Sequence, residues 1–235
     1  MKSLFGTLPK VLVATIGLFA FANSGMSTTD ASSDLRCSQR GVAKIKKKII
    51  AISTANQTKI DNRVQVRAEL QPLVNRLLAC TPERTEAAKL HQVAGGWYSL
   101  WSDYGFGPFV DYSQVYQVVD ADGFYYNVSK NVAPFGTFVN YLRGSFVDSG
   151  SFLRIEFTRS IAVTGWLESG LKLSDLSDDV ESGAINGPDT PNGPIGVKGN
   201  LKNAYVDDHL RIVTGRSDGE ASDGMFVLVR SDTIR

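Results

Sequence analysis

The chain has only two histidines, His91 and His209, so acid–base or metal chemistry would have to centre on one of them. His209 follows Asp207 and Asp208, three ligand types in a row. Neighbours on an extended chain point to opposite faces, so the run cannot converge on one ion and reads as a turn between strands. Gly215-Arg216-Ser217-Asp218-Gly219 matches Gly-x-Ser-x-Gly by letter. A nucleophile elbow also needs a helix after the serine and a histidine later in the chain. Here the segment is a polar turn and no histidine follows. No Cys-His cluster with zinc spacing and no glycine-rich phosphate loop occurs in the sequence. The residues therefore predict no catalytic group, no metal site and no cofactor, and a non-enzyme is expected.

Aromatic and aliphatic side chains are the richer resource. Trp97, Trp101, Tyr116, Phe124, Tyr126, Phe157 and Phe226 fall on candidate strands. Pockets for small apolar ligands are lined mainly by such groups, although the same side chains can simply fill a core. Leu153, Ile155 and Phe157 alternate with Arg154 and Glu156, which predicts that the first three face inward. By the same rule Leu210 and Ile212, alternating with His209 and Arg211, face inward. Phe226 and Leu228 share a face, and their valine neighbours leave open which face it is; if it is the inner one, they join the interior set. Arg230 has their parity, so in a closed barrel it would meet Trp97 at the start of the first strand. A guanidinium over that indole gains about 0.5–2 kcal/mol; the alternative is Arg230 in solvent near the chain end.

The elements that would position these residues begin at Gly95. Strand patterns lie near 96–102, 113–119, 123–129, 137–146, 152–161, 201–207, 209–214 and 225–231. Asp120-Ala121-Asp122-Gly123 and Val147-Asp148-Ser149-Gly150-Ser151 are hairpin turns. Consecutive strands without helical period predict an antiparallel meander or barrel over 95–235. Within it, 167–200 reads as a long acidic loop rich in Gly and Pro, either a flap over the barrel mouth or an unstructured insertion. Asn127-Val128-Ser129 fits a glycosylation sequon, relevant only in a eukaryotic lumen.

Upstream, Val42, Ile45, Ile49 and Ile52 predict one amphipathic helix, and Val66, Leu70, Leu73 or Val74, and Leu77 a second, with Pro72 inside it. Residues 36–94 are thus a helical pair and linker. Packed antiparallel, the pair brings Cys37 and Cys80 to one end, where a disulfide would close a loop of about forty residues, worth roughly 3–4 kcal/mol. Lys44, Lys46, Lys47 and Lys48 make the first helix basic. It is a candidate for an anionic membrane surface, a plain solvated face, or a partner for the acidic Asp175–Glu181 stretch. Lys2 and Lys10, the apolar run from Val11 to Ala22 and Ala20-Phe21-Ala22 predict a signal peptide over 1–22, followed by a disordered leader over 23–35. Export is expected: to the periplasm or medium in a bacterium, or onward to a plastid in an alga whose plastids lie on the secretory route. A formal charge of +1 implies no nucleic-acid partner.

These pieces, in this order, resemble the plastid lipid-associated proteins, also called plastid fibrillins. The resemblance runs over roughly 42–230. It is carried by Arg67, Leu77-Leu78, Pro82, Gly96-Trp97-Tyr98-Ser99-Leu100-Trp101 and Gly123-Phe124-Tyr125-Tyr126-Asn127-Val128, and most specifically by Tyr205-Val206-Asp207-Asp208-His209-Leu210-Arg211-Ile212, Gly215 and Phe226-Val227-Leu228. It implies an α+β, mainly β fold: a helical pair followed by a lipocalin-like antiparallel β-barrel that binds a lipid, carotenoid or prenylquinone at thylakoids or lipid droplets. Lipocalins close their barrels with a similar tryptophan and arginine, and the resemblance lends no catalytic residue. The export segment and the cysteine pair depart from the family pattern. The alternative function is a protein that coats lipid surfaces through its basic helix, its barrel filled.

Overall fold

Ser38 opens the first helix by accepting a hydrogen bond from the Gly41 amide at 3.2 Å, which satisfies one of the donors a helix start leaves orphaned. In the computed structural model, which describes residues 37–165, 169–190 and 194–235, helix α1 runs Gln39–Ala55 and α2 runs Arg63–Ala79. The expected signal peptide and leader lie outside the described residues. Ile45 and Ile49 of α1, with Val66, Leu70, Leu73, Val74 and Leu77 of α2, are buried at the predicted spacings. Pro72 lies inside α2 without ending it. A Cys37–Cys80 disulfide ties the start of α1 to the end of α2, so the pair is antiparallel. What read as linker contains a third helix, α3 (Glu86–Val93), capped by the Thr85 hydroxyl. At two turns it is too short to show helical period in sequence.

Eight strands follow: β1 Gly95–Ser102, β2 Val110–Val119, β3 Phe124–Ala133, β4 Gly136–Asp148, β5 Leu153–Thr164, β6 Lys198–Val206, β7 Leu210–Ser217 and β8 Gly224–Arg230. Each pairs antiparallel with the next, and β8 returns to β1, closing the ring. The barrel behind a helical lead is the architecture expected from the strand spacing. The turn after β2 is built as its sequence requires. The Asp120 carboxylate accepts from the Asp122 amide at 3.0 Å, and Gly123 takes φ 95°, which suits a residue without Cβ.

In an up-and-down barrel the connections alternate between ends. Turns β2–β3, β4–β5 and β6–β7 lie at one end, with α3, whose Glu86 amide bonds the Gly150 carbonyl at 3.1 Å. Connections β1–β2, β3–β4, β5–β6 and β7–β8 lie at the other. The first end is closed and the second is the mouth.

Helices also cover the outside of the wall. The α1/α2 pair packs on outward side chains of β1, β6, β7 and β8, among them Trp101, Leu210, Ile212 and Val227. The stretch expected to be a structureless loop or flap forms α4 (Leu173–Ser182). Its Leu173, Leu176 and Val180 bury against Tyr98, Tyr116, Tyr126 and Tyr141 on the opposite outer wall, so it is no lid over the mouth. Nor do its acids reach the basic helix: Glu181 pairs with Arg143, and Lys46 pairs with Asp207. The wall has one thin seam. β5 pairs with β6 only through Leu153–Glu156. Beyond that the chain entering β6 bonds β5 instead, through Val197, Gly196, Thr190 and Pro188.

The disulfide generates the first prediction. Replacing Cys37 and Cys80 by serine frees a loop of sequence separation 43, a loss of about 4 kcal/mol in the chain-entropy account. In a chain of this size that is a fall of roughly 10 °C in melting temperature. Calorimetry of the double variant checks it, and an unchanged melting temperature would leave the bond without a role in stability.

Candidate functional site

Trp97, Gln117, Asn127 and Leu142 are register partners across β1 to β4, and they form one inward-facing row. Above this row the barrel encloses a cavity of about 380 Å³, within the usual range for small-molecule sites. Leu142, Ile155, Phe157, Val213, Phe226 and Leu228 give it apolar walls, while Gln117, Asn127 and Asn140 supply a few polar groups. Tyr104 and Phe106 from the β1–β2 connection, and Pro194 and Val197 from the chain entering β6, line it at the mouth. Phe106 lies 5.9 Å from Phe226 and 5.8 Å from Tyr112, ring centre to ring centre.

Of the residues expected inside, Ile155, Phe157, Phe226 and Leu228 line this cavity, and Leu153 lines a second, small void beneath it. Trp97 packs in the floor with Val119, Tyr125, Val213 and Leu228. Trp101, Tyr116, Phe124, Tyr126, Leu210 and Ile212 do not face in. Trp101 shares parity with Trp97, but a bulge between Ser99 and Trp101 turns it outward against the helical pair. The Gln57 amide donates to the Ser99 carbonyl at that bulge, at 2.6 Å. Leu210 and Ile212 are buried outside under α1 and α2. Tyr116 and Tyr126 lie outside in the cluster that α4 covers, and Phe124 lies under the Arg143 guanidinium, 3.8 Å from its ring centre. The parity rule treats apolar as inward, and here helices make the outer face apolar too. Gln117, Tyr125, Leu142 and Val213 were missed for that reason. The Asp-Gly turn at 120–123 fixes the β2–β3 register and was the available clue to Tyr125.

The floor is polar and charged. Glu86 of α3 accepts from the backbone and side-chain amides of Asn203 and from Lys89 at 2.9 Å, and Lys89 also donates to the Asn203 carbonyl. Arg211, 2% exposed, takes the inward position opposite Leu228. Its Nε donates to Asn203 at 2.7 Å and a second nitrogen donates to Gln117. Burial pushes its pKa down to about 9, against the field of Glu86, so it stays charged at neutral pH. Tyr125 is buried beside it, its hydroxyl unbonded, and loss of solvent raises its pKa well above the usual phenol range.

The remaining sequence motifs have structural explanations. Asp207 accepts from the backbone amides of His209 and Leu210, both at 2.9 Å, and so closes the β6–β7 turn. Burial alone would raise its pKa. Bonds from Lys46, Tyr205 and those amides outweigh it and hold the carboxylate below its ordinary value. Ser217 ends β7 and lies 3.0 Å from the Tyr104 hydroxyl, with no imidazole beside it in the motif. Asn127 of the sequon accepts from Gln117 inside the barrel at 2.9 Å, where a glycan has no room. Lys46 is committed to Asp207, whereas Lys44, Lys47 and Lys48 are exposed. Among the described residues no cluster of His, Cys, Asp and Glu could hold a metal, and no helix is long and apolar enough to cross a membrane.

Closure of the ring is local chemistry. The Arg230 guanidinium lies 3.9 Å from the Trp97 ring centre and donates to the carbonyls of Ala94, at 2.7 Å, and Gln92. The Trp97 indole donates to the Val93 carbonyl at 2.7 Å. Arg230 thus stacks on the first strand and caps the C-terminus of α3 together. Arg230→Ala should cost about 2–4 kcal/mol, since a cation–π contact and two bonds to carbonyls go together. Arg230→Lys should restore less than half, because an ammonium cannot span both carbonyls while stacked. Thermal melts check both. The fluorescence of Trp97, isolated by replacing Trp101 and Trp166 with phenylalanine, should shift with Arg230→Ala.

No curated protein matches the chain. The PAP_fibrillin family matches residues 43–228, from the first turns of α1 to the middle of β8. Taken with the closed barrel behind a helical lead, that match makes this chain a member of the PAP_fibrillin family, the plastid lipid-associated proteins.

Proposed function

We propose that the barrel binds a hydrophobic small molecule and catalyses no reaction. The observation that carries this reading is the cavity: open at the mouth, about 380 Å³, walled mainly by apolar side chains, with polar groups at mid-height and at the rim. A filled core would leave no such space. Size limits the guest. At about 30 Å³ per heavy atom, the share of a water in the liquid, the cavity holds on the order of a dozen heavy atoms. A carotenoid or long-chain prenylquinone has several times that number, so only one end of it would be enclosed. Family membership supports a plastid address.

The test fills the space. Leu142→Trp projects an indole into the cavity and should weaken binding of a fluorescent apolar probe by about tenfold or more, a change of roughly 1.4 kcal/mol. The melting temperature should hold within a few degrees. Organic extraction of the native protein should yield a bound lipid or pigment. Unchanged probe binding in the variant would send the reading back to a filled barrel.

A second reading, contact with a lipid surface, is favoured by the mouth. Ile60, Val64, Phe109, Val132, Phe135, Ile195 and Val197 are exposed around that end, Val64 at 88% and Phe135 at 81%. Soluble proteins seldom leave so many large apolar groups together in water. The lysines of α1 lie nearer the closed end, where Lys46 meets the β6–β7 turn. Phe109→Ser with Phe135→Ser should abolish flotation with neutral phosphatidylcholine vesicles. Lys44→Glu with Lys48→Glu should remove only the extra binding to anionic vesicles, about 1 kcal/mol per basic residue at the surface. If the serine variant floats like the native protein, the mouth does not face the lipid.

A further inference from the structure

On the β3–β4 side of the cavity, hydrogen-bond acceptors are engaged and donors are left over. The bonds run upward from Arg211 on the floor. A guanidinium donates and cannot accept, so Gln117 must turn its carbonyl oxygen to Arg211. The Gln117 amide nitrogen then faces Asn127 and donates to its Oδ1 at 2.9 Å. That bond in turn fixes the Asn127 side chain with its own nitrogen spare. Asn140 is oriented alike: its Oδ1 accepts from the hydroxyls of Ser160, at 3.3 Å, and Thr190, at 3.1 Å. Ser129, the register partner of Asn140, accepts from Asn131 at 3.2 Å and keeps its hydroxyl proton uncommitted. Among the described residues neither the Asn127 nor the Asn140 amide nitrogen has a partner. Both residues line the cavity, and neither nitrogen is shut off from it. Charge, by contrast, is already matched at the rim, where Lys198 pairs with Glu156 and Arg216 with Asp223.

We infer that Asn127 and Asn140 select the ligand by donating to a neutral, carbonyl-type oxygen, such as that of a ketone, ester or amide. Arg211 and Gln117 are positioning residues that hold Asn127 with its donor toward the guest. This rests on the cavity-binding reading above and names its ligand class. A hydrocarbon guest would displace water from both amides and replace neither bond, which loses affinity. A carboxylate would find the donors but no uncommitted cation on the cavity wall, and burying an unpaired charge is costly. A carbonyl oxygen accepts without bringing a charge or a proton of its own. Leu142, opposite Asn127 on β4, and Phe157 and Phe226 then take the apolar remainder.

Displacement of a fluorescent apolar probe from the intact, disulfide-bonded protein tests this. The competitors are decan-2-one, 2-methyldec-1-ene, which carries a methylene in place of the carbonyl oxygen, and decanoate. In Asn127→Leu with Asn140→Leu, decan-2-one should bind about tenfold more weakly, while the alkene keeps or gains affinity. An equal fall for both, or no change in either, would overturn the donor assignment and leave the cavity reading standing. Decanoate binding tighter than decan-2-one to the native protein would overturn the neutral class. Should the double variant fail to fold, the infrared carbonyl stretch of isotope-labelled decan-2-one in the native protein gives an independent answer. It should lie at lower frequency than in hexane, and Gln117→Leu, which unties Asn127, should move it back toward the hexane position. A hexane-like stretch in the native protein would overturn the assignment, and one unmoved by Gln117→Leu would overturn the positioning role. If neither the ketone nor the alkene binds, the cavity reading falls as well.

Discussion

Strand β1 has no free edge and no free face, and the other elements take their places from that. Its edges are bonded to β2 and β8. Inward it gives Trp97 to the floor, and outward it gives Tyr98 and Leu100 to the cluster under α4. Past the bulge it gives Trp101 to the helical pair. The chain's last residues also bond to it, through the Ser231 amide to the Gly96 carbonyl at 3.1 Å. Such crowding dictates a glycine. A Cβ on Gly96 would stand 2.2 Å from the Ser231 carbonyl oxygen, a backbone contact that no rotamer relieves, and 2.7 Å from the end of the Leu173 side chain. Two neighbouring strands, the helical pair and α4 thus meet on one short segment.

Burial on both sides of the wall also explains what the sequence could and could not show. Strand existence was legible because turn residues such as Asp122-Gly123 punctuate apolar runs, and the helical pair because its stripes recur at three and four. The facing of strands was not. Leu210 and Ile212 alternate with polar neighbours as a one-sided strand would, yet their apolar face lies under helices and Arg211 occupies the interior. Reading Leu173, Leu176 and Val180 as a helical stripe would have exposed the second cover, but surrounding acids and prolines masked it. The candidate site was half legible: the aromatic walls at Phe157 and Phe226 were, the floor was not. A charged side chain between two leucine-like residues gives no sign of pointing inward.

The interior has apolar walls over an ionic base. That ordering has an energetic cost, because a guanidinium removed from water loses several kcal/mol of solvation. Part is offset by Asn203 and Gln117 and part by the field of Glu86 across the floor. The helix α3 makes this possible. It brings Glu86 and Lys89 under the barrel as a plug, and its last carbonyls hold Arg230. Stability and polarity at the base are therefore supplied by one short stretch, the helix Glu86–Val93 and its cap Ala94.

The seam between β5 and β6 has a consequence for how copies of the molecule meet. From Phe157 to Ala162 the outer edge of β5 finds its backbone partners in the chain that precedes β6, not in a full strand. An uncovered strand of that length would offer a row of unpaired amides and carbonyls to any other extended chain. Pro188 and Pro194 stand in the covering segment, and a proline has no amide to extend pairing outward. A proteolytic nick there would leave the chamber's strand side chains in place yet open an adhesive border along the cylinder. The stretch that reads as least ordered in the sequence is what keeps neighbouring barrels from joining edge to edge.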